Sequence, residues 1–515
     1  MTRGWGGSYV VGAAVALVVA FGTGCSTAPT TQSLARDAAA AMGGEDKLKT
    51  VQSVVMRGGT GSRFRLGSTT RATDTEPGAS LANVIETVDI ANGRAALDYE
   101  LKNGDFTQHR QEILTSKDGK PVGLDQVGTR PLAVMSPGGL FSWGTQNSPE
   151  FLLTRNPVSA LLAGLTSPAA GALESRTLAQ QTYQYGRARL PSGEAIGLYF
   201  DQNTRLLAAF DVVDTESMLG DVSAVYLLSD YRDVNGLKLP HAITIRKGGQ
   251  PYSDVRFTSG AINDVSALSV FDVPESVAAE ADRAIAEGIY SPIMVVKAAN
   301  GVYFARGYSH HSLVVEFPTF LAVIEAPYTE AQSHTLAREL KAQFPTKPIR
   351  YVAVTHFHYD HTGGVRGLAS YGATLLVEKG HEAVMRAVIE APHTNPPDAL
   401  QRARQGGTAG QLEIFAGRRT IAEGQQRLEL YTITGNPHVD PMVLAYVATS
   451  QVLFQSDLFF PGTGGAASPA AVHLYDQVKA LRVKVATNVG GHGGVAPFAE
   501  LEKAAAAAAR TTATR

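Results

Sequence analysis

Cysteine is almost absent from this chain. Its 515 residues include a single cysteine, Cys25. One thiol cannot form an intramolecular disulfide, and a zinc site built from several thiolates is excluded. Any metal held in the body of the protein must therefore be bound by histidine, aspartate or glutamate.

An excess of charge of either sign is also lacking. The formal net charge is -2, and charged residues make up 18% of the chain. A chain without a basic surplus is not drawn electrostatically to nucleic acid or to anionic lipid. An apolar content of 44% fits a folded globular protein. Because 515 residues exceed the usual size of one core, the length predicts two domains.

The apolar run near the N terminus, Tyr9 to Phe21, is short. Its 13 residues (YVVGAAVALVVAF) fall below the roughly 20 that a membrane-spanning helix needs. Arg3 precedes it and small residues follow up to Cys25, so residues 1–25 are predicted to be an export signal.

The end of this signal resembles a bacterial lipoprotein signal, although Gly22 stands where leucine is usual. The resemblance implies a membrane anchor of lipid on Cys25. It places the protein in the bacterial cell envelope, on the periplasmic side or as an outer-membrane lipoprotein. An ordinary cleaved signal and an uncleaved anchor are the alternatives.

Histidine is scarce in the first half of the chain. Residues 31–300 contain only His109 and His241, whereas residues 301–515 contain the other eleven. We therefore expect the first half to be structural or ligand-binding, and the second half to carry the chemistry.

The first half is rich in strand-forming segments. After a polar tether over 26–32, residues 33–275 are predicted to form a mainly antiparallel β domain with a few helices. HAITIRKGGQPYSDVRFT predicts a hairpin around Gly248-Gly249. SLARDAAAAMGGEDKL predicts a helix broken at Gly43-Gly44, and NPVSALLAGLTSPAAGALESRTLA predicts another helix.

Two segments of this half, AAMGGEDKLKTVQSVVMRG and DYRDVNGLKLPHAITI, are similar to periplasmic lipoprotein-carrier domains. The resemblance implies a curved sheet that wraps helices and offers a cavity to an apolar ligand. A plain antiparallel scaffold domain is the alternative.

After a linker over 276–295, the second half shows a different pattern of predicted elements. Over 296–505, strands such as LAVIEAP and IRYVAVT alternate with helices such as TEAQSHTLARELKAQF and HEAVMRAVIEA. Alternation of this kind predicts a layered α/β domain. VKVATNV is predicted to be its last strand, and 506–515 a disordered tail.

The segment YVAVTHFHYDHTGG places three histidines and an aspartate in a loop directly after a buried strand. In an extended segment residues two apart share a face, so His356 and His358 can bind one ion. Asp360 and His361 lie further along the loop and can turn towards a second position. Nitrogen and carboxylate ligands without thiolates suit Zn²⁺, with Fe²⁺ or Mn²⁺ as alternatives.

Three further polar residues follow apolar strands. His438 comes after YTITGNP, Asp457 after VLFQS and His492 after ATNVGG. Strand ends are where α/β proteins place their sites. Together with the loop, these residues fit a site for two metal ions.

Residues 300–500 resemble the metallo-β-lactamase superfamily in THFHYDHTGG, GNPHVDPMVLAY, FQSDLF and GGHGG. The resemblance implies an αββα sandwich with one or two metals, here two zinc ions per chain, between its sheets. It implies a metal bound by His356, His358 and His438, a second bound by Asp360, His361 and His492, and a bridge by Asp457. It also implies a catalytic role for Asp360, which would hold and orient the nucleophile.

Five other residues lie near these motifs. Many relatives have aspartate where this chain has Glu325, which is expected to support the ligand loop from behind. His310 and His311 are expected on the surface, with a position in the cleft as the alternative. His381 is expected to be structural, and His393 lies on a proline-rich loop that could cover the site.

The reaction predicted from this resemblance is hydrolysis of a small-molecule substrate. A metal lowers the pKa of bound water from 15.7 to about 7, and the resulting hydroxide would attack a lactam, lactone or other ester-type bond. His358 stands where diiron oxidoreductase relatives carry glutamate, which favours hydrolysis. A mononuclear iron oxygenase acting on sulfur compounds is one alternative. An envelope lipid- or lipoprotein-binding protein with an accessory metal domain is the other.

Overall fold

The computed structural model describes residues 29–513 with several gaps. The gaps are 66–75, 104–105, 118–119, 128–129, 134–148, 168–169, 273, 277–278, 280–292, 308–309 and 465–466. The predicted export signal with Cys25 lies outside the described residues, as does most of the linker. In the part of the chain that is described, no helix is long and apolar enough to cross a membrane.

The N-terminal half forms one sheet of 14 strands, paired antiparallel throughout the described registers. Its strands are β1 (Ser53–Arg65), β2 (Glu76–Asp89), β3 (Arg94–Asn103), β4 (Phe106–Lys117), β5 (Lys120–Val127), β6 (Arg130–Ala133), β7 (Ala170–Leu178), β8 (Gln181–Arg189), β9 (Ala195–Phe200), β10 (Leu207–Glu216), β11 (Gly220–Val234), β12 (Leu237–Lys247), β13 (Gln250–Arg256) and β14 (Ser259–Ile262). The order is β6-β5-β4-β3-β2-β1-β13-β12-β11-β10-β9-β8-β7, with β14 against β1. The predicted antiparallel β domain is thus confirmed.

The hairpin expected at Gly248-Gly249 joins β12 to β13. Both glycines have positive φ, +54° and +81°. Glycine adopts this conformation without a steric penalty, so the turn follows from the sequence.

The described residues of this half form the α-helices α1 (Thr31–Met42), α2 (Glu45–Lys49), α3 (Pro149–Thr154) and α4 (Pro157–Thr166). Gly43 ends α1 at φ +133°, which confirms the predicted break. The helix begins within the predicted tether, because Thr30 and Ser33 form a capping box at its first turn. Its alanines at 35, 38 and 39 are buried and share a core with Leu161 of α4 and Leu198 of β9.

The second predicted helix of this half is wrong beyond its first part. Helix α4 ends at Thr166, and Ala170–Leu178 is strand β7. Proline disfavours the helical conformation of the residue before it, and Ser167, which precedes Pro168, is extended at ψ 135°.

The C-terminal half contains two sheets. The first has seven strands in chain order, β15 (Met294–Ala299), β16 (Val302–Arg306), β17 (His311–Glu316), β18 (Leu321–Ile324), β19 (Ile349–Ala353), β20 (Thr374–Glu378) and β21 (Leu412–Phe415). The second has six, β22 (Arg418–Glu423), β23 (Gln426–Ile433), β24 (Met442–Val447), β25 (Val452–Gln455), β26 (Thr487–Gly490) and β27 (Val495–Pro497). Each sheet mixes parallel and antiparallel pairs.

Helices cover the outer faces of these sheets. They are α5 (Glu330–Gln343), α7 (Val365–Ala369), α8 (Glu382–Glu390), α9 (Ala399–Gln405), α10 (Pro469–Leu481) and α11 (Ala499–Ala513), while the short helix α6 (Tyr359–Thr362) lies in the loop after β19. One buried cluster joins Phe304 of the first sheet to Leu430 and Phe454 of the second, and so lies between the sheets. Another packs Leu336 of α5 and Leu474 of α10 against strands. This layering confirms the predicted αββα sandwich.

The end of the chain differs from prediction in two places. Strand β27 follows β26, so VKVATNV does not contain the last strand. Helix α11 runs to Ala513, through most of the stretch predicted to be a disordered tail. This helix contains a run of alanines, and alanine has the highest helix propensity of any residue type.

Candidate metal centre

The loop after β19 carries the histidine motif into the space between the sheets. His358 precedes α6, and His361 and Thr362 lie within that helix. His356 is completely buried, and the rings of His356 and His358 have centroids 4.6 Å apart. The backbone N–H of Val443, in the second sheet, donates to the carbonyl of Thr355 over 2.9 Å. The loop is therefore fixed to both sheets.

The structure brings His356, His358, His438 and Asp457 together, with one potential ligand atom of each within 4.8 Å of the others. His438 Nε2 lies 3.1 Å from His358 Nδ1 and 2.8 Å from Asp457 Oδ2. His356 Nε2 lies 3.4 Å from the same oxygen. These residues come from three separate strand ends.

A second group adjoins the first and contains His310, Asp360, His361 and His492, again within 4.8 Å. His492 Nε2 lies 2.8 Å from Asp457 Oδ1, and His361 Nε2 lies 3.2 Å from Asp457 Oδ2. Asp457 therefore contacts both groups. All seven residues predicted as ligands lie in these two groups.

The expectation that His310 and His311 lie on the surface is wrong. They are 7% and 4% exposed. His310 Nε2 lies 3.0 Å from Asp360 Oδ2, and the ring of His310 packs against that of His492 at 3.9 Å. His311 Nε2 lies 2.9 Å from the carbonyl oxygen of Gly493 and so holds the loop that carries His492. The position of His310 in the cleft, given above as the alternative, is the one that the structure shows.

Glu325 lies behind the histidines, as expected, and is fully buried. Its Oε2 is 2.8 Å from Nδ1 of His361, while Ser456 and Thr355 donate hydrogen bonds to its Oε1. A carboxylate on the remote ring nitrogen fixes the orientation of an imidazole and raises its basicity.

Two residues at the site have left-handed backbones. Glu325 has φ +68° and Asp457 has φ +62°. Side chains other than glycine rarely adopt this conformation, at a cost of about 1–3 kcal/mol each. Since both carboxylates point at histidines, the fold holds these strained residues in place where the donor atoms converge.

Burial and charge set the protonation states of these groups. Burial lowers the pKa of His356 to about 3. Burial also opposes the charges on Asp457 and Asp360, but the imidazolium of His361 and hydrogen bonds from histidines outweigh it and lower both carboxyl pKa values. Burial opposes the charge on His361 too, but the carboxylates of Asp457, Glu325 and Asp360 outweigh it and raise the pKa of His361 well above its usual value, so a bound metal would have to displace that proton. Ionised carboxylates and a neutral His356 are the forms that bind a cation.

The residues present fit a metal. Nε2 of His356 and Oδ1 of Asp457 are buried and make no well-aligned hydrogen bond, although ionisable neighbours lie at 3.4 Å and 2.8 Å respectively. A buried polar atom without a partner costs about 1–3 kcal/mol, which a coordinated ion would remove. Imidazole and carboxylate donors without sulfur suit zinc, iron or manganese.

The remaining candidates serve other contacts. His381 is buried beside Phe357 and precedes α8, which agrees with a structural role. His393 is buried 3.8 Å from Asp398, and the next residue, Thr394, contacts Asp221 of the N-terminal sheet. The proline-rich loop thus packs against the other half of the molecule.

One comparison with known protein families matches the part of the chain that holds the two groups. The family model described as the metallo-beta-lactamase superfamily matches residues 306–492, a range that contains both groups. No curated protein matches the chain.

Several solved metallo-beta-lactamases are similar in structure. The enzyme from Hirschia baltica is 18% identical and covers 42% of this chain and 97% of its own, with a TM-score of 0.32. The Pontibacter korlensis enzyme is 18% identical over 42% of this chain and 98% of its own, with a TM-score of 0.33. A Pseudomonas aeruginosa enzyme in a mono-zinc form is 17% identical and covers 43% of this chain and 96% of its own, with a TM-score of 0.32.

Proposed function

We propose that this chain, whose residues 306–492 carry a metallo-β-lactamase superfamily domain, is a metal-dependent hydrolase with two zinc ions. The position of Asp457 is the observation that carries the proposal. Its Oδ1 lies 2.8 Å from His492 and its Oδ2 lies 2.8 Å from His438, so one carboxylate faces both groups of histidines.

The ligand sets that we propose are those implied by the resemblance, and the two groups support them, with His310 as an additional neighbour in the second group. His356, His358 and His438 would hold one ion, and Asp360, His361 and His492 the other, with Asp457 shared. When bound, such a metal lowers the pKa of its water from 15.7 to about 7 and so supplies a nucleophile at neutral pH.

Asp360 is proposed to be the catalytic residue. Its lowered pKa keeps the carboxylate ionised, so one oxygen can accept a hydrogen bond from the attacking water and orient it. His310 Nε2, 3.0 Å from Oδ2, holds that carboxylate in place. Glu325 and Thr355 fix the ligand loop from behind.

The substrate class proposed is a small molecule with a lactam, lactone or other ester-type bond. A net charge of -2 gives no attraction to the phosphate backbone, which argues against nucleic-acid substrates. A histidine rather than a glutamate at 358 favours hydrolysis over the alternative, mononuclear iron chemistry on sulfur compounds.

Metal content paired with turnover tests this proposal. The full-length protein, purified without added metal, is expected to hold about two zinc ions per chain by elemental analysis. It should hydrolyse at least one chromogenic substrate from a panel of β-lactams, lactones and esters. His356→Ala should lose both metal and turnover, whereas His473→Ala, a partly buried histidine of α10, should keep both. One iron per chain with oxygen uptake would favour the oxygenase instead.

We also propose that the N-terminal domain binds an apolar ligand. A cavity of about 60 Å³ lies between the sheet and helices α3 and α4. Its wall is mostly apolar, with two charged residues; representative lining residues are Met56, Glu86, Val88, Leu152, Arg155 and Ile243. A mainly apolar wall of this kind suits the hydrocarbon part of a ligand.

A fluorescent fatty acid tests the cavity. The wild-type chain should bind it, and Ile243→Trp, which fills the space, should bind it at least about tenfold more weakly. Val213→Trp adds the same ring at a side chain that is 49% exposed and should bind normally. No binding by the wild type would contradict the proposal. Lipid binding without turnover of any ester or lactam would instead favour a carrier whose metal domain is accessory.

We propose, finally, that the protein is exported and held in the bacterial envelope by lipid on Cys25. The support is the short apolar run of 13 residues followed by the single cysteine of the chain.

A further inference from the structure

The tip of the β10–β11 hairpin, in the N-terminal sheet, reaches into the C-terminal domain. Met218 is 4% exposed and belongs to the buried cluster that also contains Val354, Phe357 and Val365 of the metal domain. Its neighbour Leu219 remains 37% exposed. One side chain of the N-terminal domain thus completes the core beneath the histidine loop.

The conformation of the hairpin tip is fixed by its own residues. The Glu216 carboxylate accepts hydrogen bonds from the backbone N–H of Met218 over 2.8 Å and of Leu219 over 3.3 Å. Gly220 follows at φ +73°, where a Cβ atom would lie 2.3 Å from the carbonyl oxygen of Pro392. The tip can approach the metal domain this closely only with glycine at 220.

A buried group of charges anchors the hairpin at its base. Asp214 of β10 forms ion pairs with Lys247 of β12 and, over 3.3 Å, with Arg155. All three are buried, and Lys247 is fully so. Lys247 also interacts electrostatically with Glu216. Removing one partner of such a group would leave a buried charge uncompensated, so these pairs tie the base of the hairpin to β12 and to Arg155.

Met218 contacts the metal loop through Thr362. Its Sδ lies 3.6 Å from Thr362 Oγ1, which also lies 2.8 Å from the carbonyl of His358 and 3.0 Å from that of Phe357. A hydroxyl has one proton, and carbonyls accept it better than a thioether does. The contribution of Met218 is therefore packing, which keeps Thr362 against the backbone of His358.

The hairpin also contacts the proline-rich segment around Thr394, which in turn packs on the helix after the histidine loop. Asp221 accepts hydrogen bonds from the N–H and hydroxyl of Thr394, both over 2.7 Å, and its own N–H donates to Pro392. The segment continues to Asp398, which forms an ion pair over 2.6 Å with Arg366 of α7. Helix α7 begins three residues after Thr362, so the hairpin supports the loop from two directions.

We propose that Met218 is a positioning residue for the metal centre, which makes the N-terminal domain part of the machinery that orders His358 and His361. This inference rests on the proposed metal site. It assigns to the N-terminal sheet a task separate from ligand binding in its cavity.

The test is metal affinity in a graded series on the full chain, Met218→Leu, Met218→Val and Met218→Ala. Chelator competition and the visible spectrum of the Co²⁺-substituted protein are the readouts. Residues that orient metal ligands typically change affinity by about 10–100-fold. We expect Met218→Ala to weaken binding by about tenfold and to shift the Co²⁺ bands. Met218→Leu, which refills most of the space, should restore both.

The matched control is Leu219→Ala on the exposed side of the same tip, which should bind metal as the wild type does. If Met218→Ala does not fold, Met218→Val gives the smaller perturbation for the same comparison. Unchanged metal affinity and Co²⁺ spectrum in a folded Met218→Ala or Met218→Val variant would overturn the inference. A wild-type chain that binds no metal would instead refute the proposed function.

Discussion

Asp457 carries a buried negative charge that lies within 3.4 Å of nitrogens from His356, His361, His438 and His492. A carboxylate in that position can bind one ion through each oxygen and offset the repulsion between two cations. Its backbone is left-handed, at φ +62°, and this strained conformation is what directs the carboxylate between the histidines.

We predict that Asp457→Asn loses most of one metal equivalent and most of its hydrolytic rate. The amide keeps the shape, but its nitrogen offers no lone pair to a metal, and the charge is gone. The loss of rate should exceed the roughly 10–100-fold typical of residues that only orient ligands. Elemental analysis and turnover measure both effects, with Asp476→Asn on the exposed face of α10 as control. Two metals per chain and near wild-type turnover in Asp457→Asn would show that Asp457 does not bridge.

Glu86, in the wall of the N-terminal cavity, behaves differently from the carboxylates of the metal centre. Burial raises its pKa from 4.5 to about 7. The folded state therefore keeps the proton to higher pH than the unfolded state does. The contribution of Glu86 to the free energy of unfolding therefore falls as the pH rises from 4.5 to about 7, and it stays low above that range.

We predict that Glu86→Gln is more stable than the wild type at pH 8, by roughly 1–3 kcal/mol. The lower part of this range is favoured because Glu86 retains some contact with solvent. At about pH 4 the difference should vanish, since the carboxyl is then protonated in both states. Denaturant unfolding at the two pH values measures it, with exposed Glu502→Gln as control. An equal gain at both pH values would point to packing and not to ionisation.

Among the elements, helices α1 and α4 pack on the N-terminal sheet through small residues. A Cβ atom at Gly164 would lie 2.7 Å from Leu198 Cδ1 and 3.0 Å from Ala35 Cβ. Glycine in a helix normally costs about 0.5–1 kcal/mol relative to alanine. Here the close approach of the two helices and strand β9 outweighs that cost.

We predict that Gly164→Val lowers the unfolding free energy by about 1–3 kcal/mol, because the added methyl groups have no space. Thr166→Val, at an exposed position of the same helix, should change it by less than about 0.5 kcal/mol. Thermal and denaturant unfolding followed by circular dichroism would measure both. A stabilised Gly164→Val protein would mean that α4 can move away from the sheet.

For the whole molecule, the division into residues 33–275 and 290–505 stays a prediction. The contacts of Met218 and Asp221 add that the two parts hold each other. We predict that limited proteolysis cuts in the linker over 276–295 and gives two stable fragments. They should remain together on gel filtration in the absence of denaturant. Cleavage that leaves no stable fragment near either boundary would argue against separate domains.

We also predict that mature protein begins at Cys25 and carries lipid there. Two acyl-type signals anchor a protein stably where one chain gives only marginal binding. Labelled palmitate supplied to a bacterial host that processes lipoproteins should appear in the wild type and not in Cys25→Ser. Absence of label from the wild type would leave an ordinary cleaved signal as the better interpretation.

The amino-acid sequence by itself determined the layered C-terminal fold and singled out seven candidate ligands that the structure brings together, whose binding of metal stays a prediction. Strand patterns, glycine turns and a dense histidine loop are local signals, because each depends on residues a few positions apart. Polar residues directly after apolar strands, as at His438 and Asp457, identified the edge where the elements converge. The break at Gly43 followed in the same way from glycine alone.

Only the tertiary structure decided which other residues join the site. His310 is 50 residues from Asp360 in sequence and Met218 is 144 residues from Thr362, and no local pattern reports contacts over such separations. A histidine before a strand and a methionine in a hairpin tip have ordinary surroundings until distant elements pack on them. The candidate ligands could therefore be predicted from short segments. The residues that hold them in place could not, because they come together only where two sheets from different halves of the chain meet.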